Sequence, residues 1–143
     1  MEGIILDTNV VSEPTRQQPN QRVCAWFENH RGTSLYLTST VIAEMAQGIE
    51  RLPAGRRQSE LEHWLQTLIA DAFAGRILVF DVEAALIYGK LVANARAQGR
   101  PPKMGDAQIA AVAWRDGMAV ATRNVVDFEA LQVPVVNPWE TGP

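Results

Sequence analysis

Three acidic side chains that lie far apart in this 143-residue sequence are candidates for a shared metal site. Asp7 ends a short apolar run, Glu44 falls early in a helical segment, and Asp106 begins an alanine-rich one. Clustered carboxylates repel one another, so at least one keeps a proton unless a cation neutralises them. Ligation by oxygen alone favours a hard ion such as Mg²⁺ or Mn²⁺. Such an ion activates water and stabilises charge on a phosphate, which suits a nuclease.

Each of these residues also has an ordinary structural explanation. Asp7, followed by Thr8 and Asn9, is able to cap a short helix. A glutamate on the flank of a helix, such as Glu44, is usually solvated. Asp106 is explained equally well by capping and by the helix dipole. Only convergence of the three at one place favours the functional interpretation.

The spacing of apolar residues predicts alternating strands and helices. We expect strands at 3–6, 34–38, 77–80, 118–122 and 133–136. We expect helices at 20–30, from 39 to about 52 with Ser39 or Thr40 as the cap, and at 59–72, 82–97 and 105–116. Without repeats or linkers, residues 1–143 form one domain. The prediction is an α/β fold, a three-layer sandwich with a mainly parallel central sheet of about five strands.

This topology brings the acidic residues to one edge of the sheet. Asp7 lies where the first strand ends. The helix that begins at Asp106 leads into a parallel strand, so its amino end lies at the carboxyl edge of the strands. Thr122, Arg123 and Asn124 follow the fourth strand at the same edge. Because ligands of such sheets bind beyond this edge, we expect the three carboxylates to meet there, beside the core.

The overall charge gives no clear indication of a partner. A net charge of −3 is not typical of a nucleic-acid-binding protein. If Asp7, Glu44 and Asp106 bind metal and are set aside, the net charge of the other residues is zero. Basic residues are available for a local rim: Arg51, Arg56, Arg57, Arg96, Arg100, Lys103, Arg115 and Arg123.

The compartment is predicted from what the sequence does not contain. No run approaches the roughly 20 apolar residues of a membrane span, and no basic segment precedes the first apolar run. The single Cys24 excludes an internal disulfide and fits a reducing environment. We expect a cytoplasmic protein without membrane association.

Four segments resemble, in order, the four motifs of PIN-domain toxins: IILDTNVVSEP, LTSTVIAEMAQG, GDAQIAAVAWRDG and VATRNVVDF. They extend over nearly the whole chain, and four ordered motifs are far more specific than one. The resemblance is closest to the subgroup typified by the VapC and FitB toxins, including the ending NPWE.

The resemblance implies a role for each matching residue. The three acidic residues of the family match Asp7, Glu44 and Asp106, and the hydroxyl before the second motif matches Thr38. It implies Mg²⁺ or Mn²⁺ held chiefly by Asp7 and Asp106, with Glu44 in the same cluster. It also implies a hydrolase that cleaves phosphodiester bonds within RNA.

The resemblance further implies partners. These are a second copy of the chain in a homodimer, and a cognate antitoxin protein that blocks the site and binds operator DNA. The segment 59–72 carries a wide apolar stripe for a small domain, and part of this stripe must cover the sheet.

One position departs from the family pattern. The fourth acidic residue of many members matches Asn124, whose amide oxygen is able to ligate a metal but brings no charge. Asp127, three residues later, could supply that charge if the segment turns helically. Alternatively, Asp127 caps a short turn at Phe128 and faces solvent.

Other functions fit the residues less well. A phosphatase of the haloacid dehalogenase type needs a second Asp where Asn9 stands, and a receiver domain needs an acidic pair near the first strand. The alternative from another class is a catalytically inactive PIN-fold module that acts through protein contacts. Retention of Asp7, Glu44 and Asp106 argues against it, since buried carboxylates cost stability unless they are paired.

Overall fold

The computed structural model describes residues 3–30 and 34–140. Within these ranges the strands are β1 (Ile4–Leu6), β2 (Leu35–Thr38), β3 (Ile77–Leu78), β4 (Ala119–Ala121) and β5 (Val135–Val136). They form a five-stranded sheet in the order β3-β2-β1-β4-β5, and every pairing is parallel. The α/β fold with a parallel central sheet is therefore confirmed.

The central strands are apolar because they are covered on both faces. Ile5 of β1 pairs with Val120 of β4, and neither side chain is exposed to solvent. Parallel strands of this kind are typically continuous apolar runs, since helices cover both faces of the sheet. The end of β1 therefore lies in the middle of the carboxyl edge, where Asp7 follows Leu6.

The helices agree with the predicted segments to different degrees. In the described ranges they are α1 (Thr8–Ser12), α2 (Gln21–Asn29), α3 (Ser39–Glu50), α4 (Arg56–Thr67), α5 (Val82–Ala97), α6 (Met104–Asp116) and α7 (Val125–Glu129). Helices α2, α5 and α6 match the predictions within a residue. The predicted helix at 59–72 begins earlier and continues as the π-helical turn Leu68–Ala72.

The predicted cap of α3 is wrong. The capping side chain is Thr38, whose Oγ1 accepts a hydrogen bond from the Val41 backbone N–H at 3.1 Å. Ser39 and Thr40 are engaged elsewhere: Ser39 Oγ accepts from the Phe80 N–H, and Thr40 Oγ1 donates to Gln108. Strand β3 has two residues where four were expected.

Two short helices at the carboxyl edge are absent from the helices predicted by apolar spacing, although Asp7 and Asp127 were considered as residues of a short helix or turn. Helix α1 directly follows β1, and α7 follows β4 after a turn. Each has five residues, too few for a helical period of apolar positions to be visible in the sequence. Within the described ranges, no helix is both long and apolar enough to cross a membrane.

Candidate active site

Asp7 is the most enclosed of the three candidate carboxylates, with 5% of its surface exposed. It caps α1, because Oδ1 accepts the Thr8 backbone N–H at 2.8 Å. Its other oxygen, Oδ2, accepts the hydroxyl of Thr122 at 2.8 Å and the amide of Asn9 at 3.4 Å. Burial raises the pKa of Asp7 and the charge of Glu44 adds to this, while the hydrogen bonds lower it in part. Asp7 therefore caps α1, as its structural explanation predicted, and the same side chain lies at the carboxyl edge of the sheet.

Asp106 lies in the first turn of α6, whose inward residues Ile109, Ala110 and Ala113 are buried as predicted. Its carboxylate is half-buried, and none of the hydrogen bonds in residues 3–30 and 34–140 involves it. Burial, followed by the negative charge of Asp7, raises its pKa to about 6. Asp106 thus responds electrostatically to Asp7, 99 residues earlier in the sequence, as the topology predicted.

Glu44 is exposed, so the expectation that all three carboxylates lie beside the core is wrong. Its Oε1 accepts the hydroxyl of Thr8 at 2.6 Å, which ties α3 to α1. Its Oε2 lies against the first turn of α6: a Cβ placed on Gly105 would be only 2.5 Å from that oxygen. Glycine at 105 therefore leaves room for the Glu44 carboxylate next to Asp106.

Asn124 and Asp127 lie at the start of α7, and both are exposed. Asn124 occupies the N-cap position, yet its side chain makes no capping bond. The alternative for Asp127 was that it caps a short turn and faces solvent. Asp127 does not cap this helix, so the capping part is wrong, but the side chain is exposed as that alternative predicted. The charge of Asp127 contributes to the raised pKa of Asp106, so the two carboxylates are close enough to interact.

The chemistry of these donors fits a hard cation. All candidate ligands offer oxygen, and the ion pairs of the described residues lie elsewhere, so no lysine or arginine neutralises Asp7, Glu44 or Asp106 directly. Within residues 3–30 and 34–140, however, no three acidic, histidine or cysteine side chains are already grouped as metal ligands. An ion would therefore have to draw these carboxylates closer together.

Only part of the predicted basic rim is present at this edge. Arg100 and Lys103 line a cavity of about 180 Å³ together with Asp106 and Asp127. Arg123 follows Thr122 at the end of β4. Arg115 lies at the other end of α6, where it pairs with Asp81 and Asp116 at 2.8 Å each. The remaining predicted rim residues lie on α4 or at the carboxyl ends of α3 and α5.

Several contacts that orient the site could not be predicted from the sequence. One is the hydrogen bond from the Thr8 hydroxyl to Glu44. Another is the carboxamide of Asn9, which donates to Asp7 and accepts from the backbone N–H of Arg123. Their proximity to Asp7 in sequence was visible, but hydroxyl and amide groups are common near helix starts. The backbone path around the carboxylates selects their partners.

Comparison with known proteins gives consistent matches along the chain. The PIN domain family model matches residues 4–132. The chain is 42% identical to plasmid stability protein StbB of Pseudomonas syringae pv. tomato, over 96% of this chain and 99% of that protein. It is 39% identical to VapC ribonuclease Y4jK of Sinorhizobium fredii (96% and 98%) and 41% identical to toxin FitB of Neisseria gonorrhoeae (95% and 98%).

Solved structures show the same fold. FitAB bound to an IR36 DNA fragment superposes with a TM-score of 0.89 at 40% identity, covering 98% of each chain. VapBC2 from Rickettsia felis, bound to a promoter DNA fragment, gives a TM-score of 0.76 at 20% identity, covering 94% of this chain and 97% of that one. At that lower identity the likeness concerns the fold alone.

Proposed function

We propose that this chain, which belongs to the PIN-domain family, is the toxin of a toxin–antitoxin pair and cleaves RNA with a divalent metal ion. The main supporting observation is the position of Asp7, Glu44 and Asp106. Three separate segments bring their carboxylates to the carboxyl edge of the sheet, and none of the ion pairs in residues 3–30 and 34–140 includes them. The names of the relatives, a VapC ribonuclease and a FitB toxin, support the same activity.

In this proposal, Asp7 and Asp106 are the main ligands of Mg²⁺ or Mn²⁺, and Glu44 completes the cluster. Asn124 offers an uncharged oxygen, and Asp127 supplies charge from the neighbouring turn. When bound, the ion lowers the pKa of water and offsets the charge of the phosphate under attack. Because the pKa of Asp106 is raised to about 6 without metal, binding of an ion below about pH 6 would release a proton from this carboxyl group.

The protein's own contribution is to hold these groups in place before substrate arrives. Each oxygen of Asp7 accepts a hydrogen bond, from Thr8 on one side and from Thr122 on the other, so the carboxylate has one orientation. Thr8 also holds Glu44 through its hydroxyl. Because these hydrogen bonds already orient Asp7 and Glu44, the two side chains lose less freedom when a ligand binds.

We also propose a cognate antitoxin, a homodimer and a cytoplasmic location. In this proposal a basic side chain of the antitoxin would pair with Asp106 and Asp127, which line a cavity together with Arg100 and Lys103, and would compete with the metal. Operator DNA would be bound through the antitoxin.

The metal-dependent activity is tested with a labelled RNA oligonucleotide, Mg²⁺ or Mn²⁺, and a chelator control. We expect cleavage by the wild type, and none by Asp7→Asn or Asp106→Asn. Wild-type rates from either variant would contradict the mechanism. An inactive binding module would show no cleavage and no change of melting temperature with Mn²⁺.

The toxin function is tested in cells. Expression of the chain alone should arrest growth, and co-expression of the protein encoded by the adjacent gene should restore it. The Asp106→Asn variant is the control, since it should fold but not arrest growth. Normal growth at high expression without a partner would contradict the toxin assignment.

A further inference from the structure

Arg123 is held beside the acidic site by two features of its own backbone and side chain. Its backbone N–H donates to Asn9 Oδ1 at 3.2 Å, and the amide of Asn9 donates to Asp7 Oδ2. Its guanidinium lies over the ring of Trp139, with 5.0 Å between the guanidinium carbon and the ring centroid. Arg123 is therefore tied to Asp7 at one end and to an aromatic ring at the other.

Trp139 is itself fixed, so the ring is a stable support. Its backbone N–H donates to Asn137 Oδ1 at 3.0 Å, and its carbonyl oxygen accepts from Arg22 at 3.4 Å. The indole packs against the hydrophobic core. A cation over an aromatic face is attracted by the ring quadrupole, and this contact uses none of the guanidinium N–H donors.

The donors of Arg123 remain available to a ligand. The ion pairs in residues 3–30 and 34–140 do not include Arg123, although Asp127 and Glu140 line the same groove. This groove of about 420 Å³ is lined by Arg123 and Asn124 among others. Of the described residues that line it, Arg123 is the single cation. An anionic ligand therefore has one favourable position in the groove.

We propose that Arg123, held on Trp139, binds a phosphate of the RNA next to the bond that is cleaved. The inference rests on the proposed function, and it adds a substrate-binding residue outside the acidic cluster. A guanidinium presents a planar fork of donors that matches a phosphate, and stacking on a ring preorganises that fork. The carboxylates of Asp127 and Glu140 repel a phosphate that enters elsewhere, so Arg123 fixes where the backbone lies.

Binding is measured separately from cleavage, in an Asp106→Asn variant that is expected to bind RNA without cleaving it. We expect Arg123→Ala to weaken binding of a fluorescein-labelled single-stranded RNA roughly tenfold at low salt, the loss expected for one charge-assisted contact. The slope of log affinity against log salt should fall by about 0.7, the value for one phosphate contact on a single strand. In otherwise wild-type protein, KM should rise while kcat changes little.

Arg56→Ala is the matched control. Arg56 is also exposed, and it begins α4 beyond the far end of α3. Arg56→Ala removes the same charge as Arg123→Ala, but away from the acidic site. Both the affinity for RNA and the salt slope should therefore stay near those of the Asp106→Asn protein. Arg123→Lys should keep most of the salt slope but only part of the affinity, because the planar fork is lost.

Trp139→Leu tests whether the ring acts through Arg123. We expect it to weaken RNA binding less than Arg123→Ala does, and the double variant to bind no worse than Arg123→Ala alone. If Trp139→Leu does not fold, the salt slope of Arg123→Ala still decides.

The inference is overturned if Arg123→Ala binds RNA with unchanged affinity and salt slope. It is also overturned if that variant instead weakens binding of the antitoxin alone, since the groove would then be a protein contact. If the wild type does not cleave RNA but binds it through Arg123, the proposed function is contradicted, while the phosphate contact of Arg123 is supported.

Discussion

The hydroxyl of Thr122 donates to Asp7 Oδ2 at 2.8 Å and thereby joins the ends of β4 and β1. Thr122 Oγ1 in turn accepts the backbone N–H of Asn124 at 3.0 Å. One buried hydroxyl therefore orients the Asp7 carboxylate and also fixes the chain that leads into α7. The fourth sequence motif contributes to the site through Thr122 as well as through Asn124.

Thr122→Val is expected to lower both stability and activity. The substitution keeps the shape but leaves Asp7 Oδ2 with only the longer bond from Asn9, and the Asn124 N–H without an acceptor. We expect the free energy of unfolding to fall by about 1–3 kcal/mol, the cost of an unsatisfied buried group. Chemical denaturation and RNA cleavage rates measure the two effects. Thr122→Ser keeps the hydroxyl, so a valine variant that matches the serine variant in both assays would contradict the assigned role.

Asp106→Asn is expected to stabilise the metal-free protein toward neutral pH. The pKa of Asp106 is about 6 in the folded chain and 3.8 without the fold. Between these values the folded state holds a proton that the unfolded state has lost. The free energy of unfolding of the wild type therefore falls as pH rises through this window. Asparagine does not titrate, so the Asp106→Asn variant does not lose stability in this way as pH rises.

Thermal melts in chelator from about pH 4 to about pH 7 follow this difference. The melting temperature of Asp106→Asn relative to wild type should rise with pH and level off above about pH 6. A constant difference across the range would show that Asp106 does not titrate as described. Added Mn²⁺ should raise the melting temperature of the wild type more than that of the variant.

Gly105→Ala is expected to separate stability from activity. The new Cβ would lie 2.5 Å from Glu44 Oε2, the mobile end of an exposed side chain, so Glu44 moves and the fold remains. Replacing glycine by alanine in a helix stabilises by up to about 1 kcal/mol, which offsets the crowding. We expect unchanged melting but weaker Mg²⁺-dependent cleavage. Gly89→Ala in α5, with no atom near the new Cβ, should leave cleavage unchanged.

Paired variants determine how the missing fourth acid is replaced. If Asp127 supports the ion, Asp127→Ala should reduce cleavage at limiting Mg²⁺ and recover at high Mg²⁺. The variant should also lower the pKa of Asp106, because the charge of Asp127 raises it. Asn124→Asp should tighten Mn²⁺ binding in calorimetry, since it adds a charged ligand. If cleavage by Asp127→Ala depends on Mg²⁺ as in the wild type, Asp127 does not support the ion, and its acidic ligands are Asp7, Glu44 and Asp106.

The proposed homodimer is expected to use the start of α5. The apolar stripe of α4 largely covers the core of its own chain, since Leu65 is buried and Trp64 packs against that core. Val82 and Leu86, one turn apart on α5, are 77% and 69% exposed. Sedimentation should give a dimer for the wild type and a mass near 15.8 kDa for Leu86→Lys. Gln66→Lys on the exposed side of α4 is the control, and a dimeric Leu86→Lys would exclude this surface.

Apolar periodicity by itself determined the fold class and the edge that holds the site. The run before Asp7 has to be a buried strand, and the alanine-rich helix after Asp106 has to lead into a parallel one. Parallel strands end at one edge, so the topology alone placed these two residues near each other. The charge of Asp7 contributes to the raised pKa of Asp106, so the two carboxylates are close enough to interact.

The tertiary structure decided which side chains are exposed and which groups they contact. Glu44 borders an apolar stripe in the sequence, yet it is exposed and held by Thr8, because α1 packs against α3. Helices α1 and α7 are too short for a visible period, and they form because strand ends and side-chain bonds fix their first turns. The position of Arg123 on Trp139 depends on angstrom-scale distances between side chains, and residue spacing does not encode those distances.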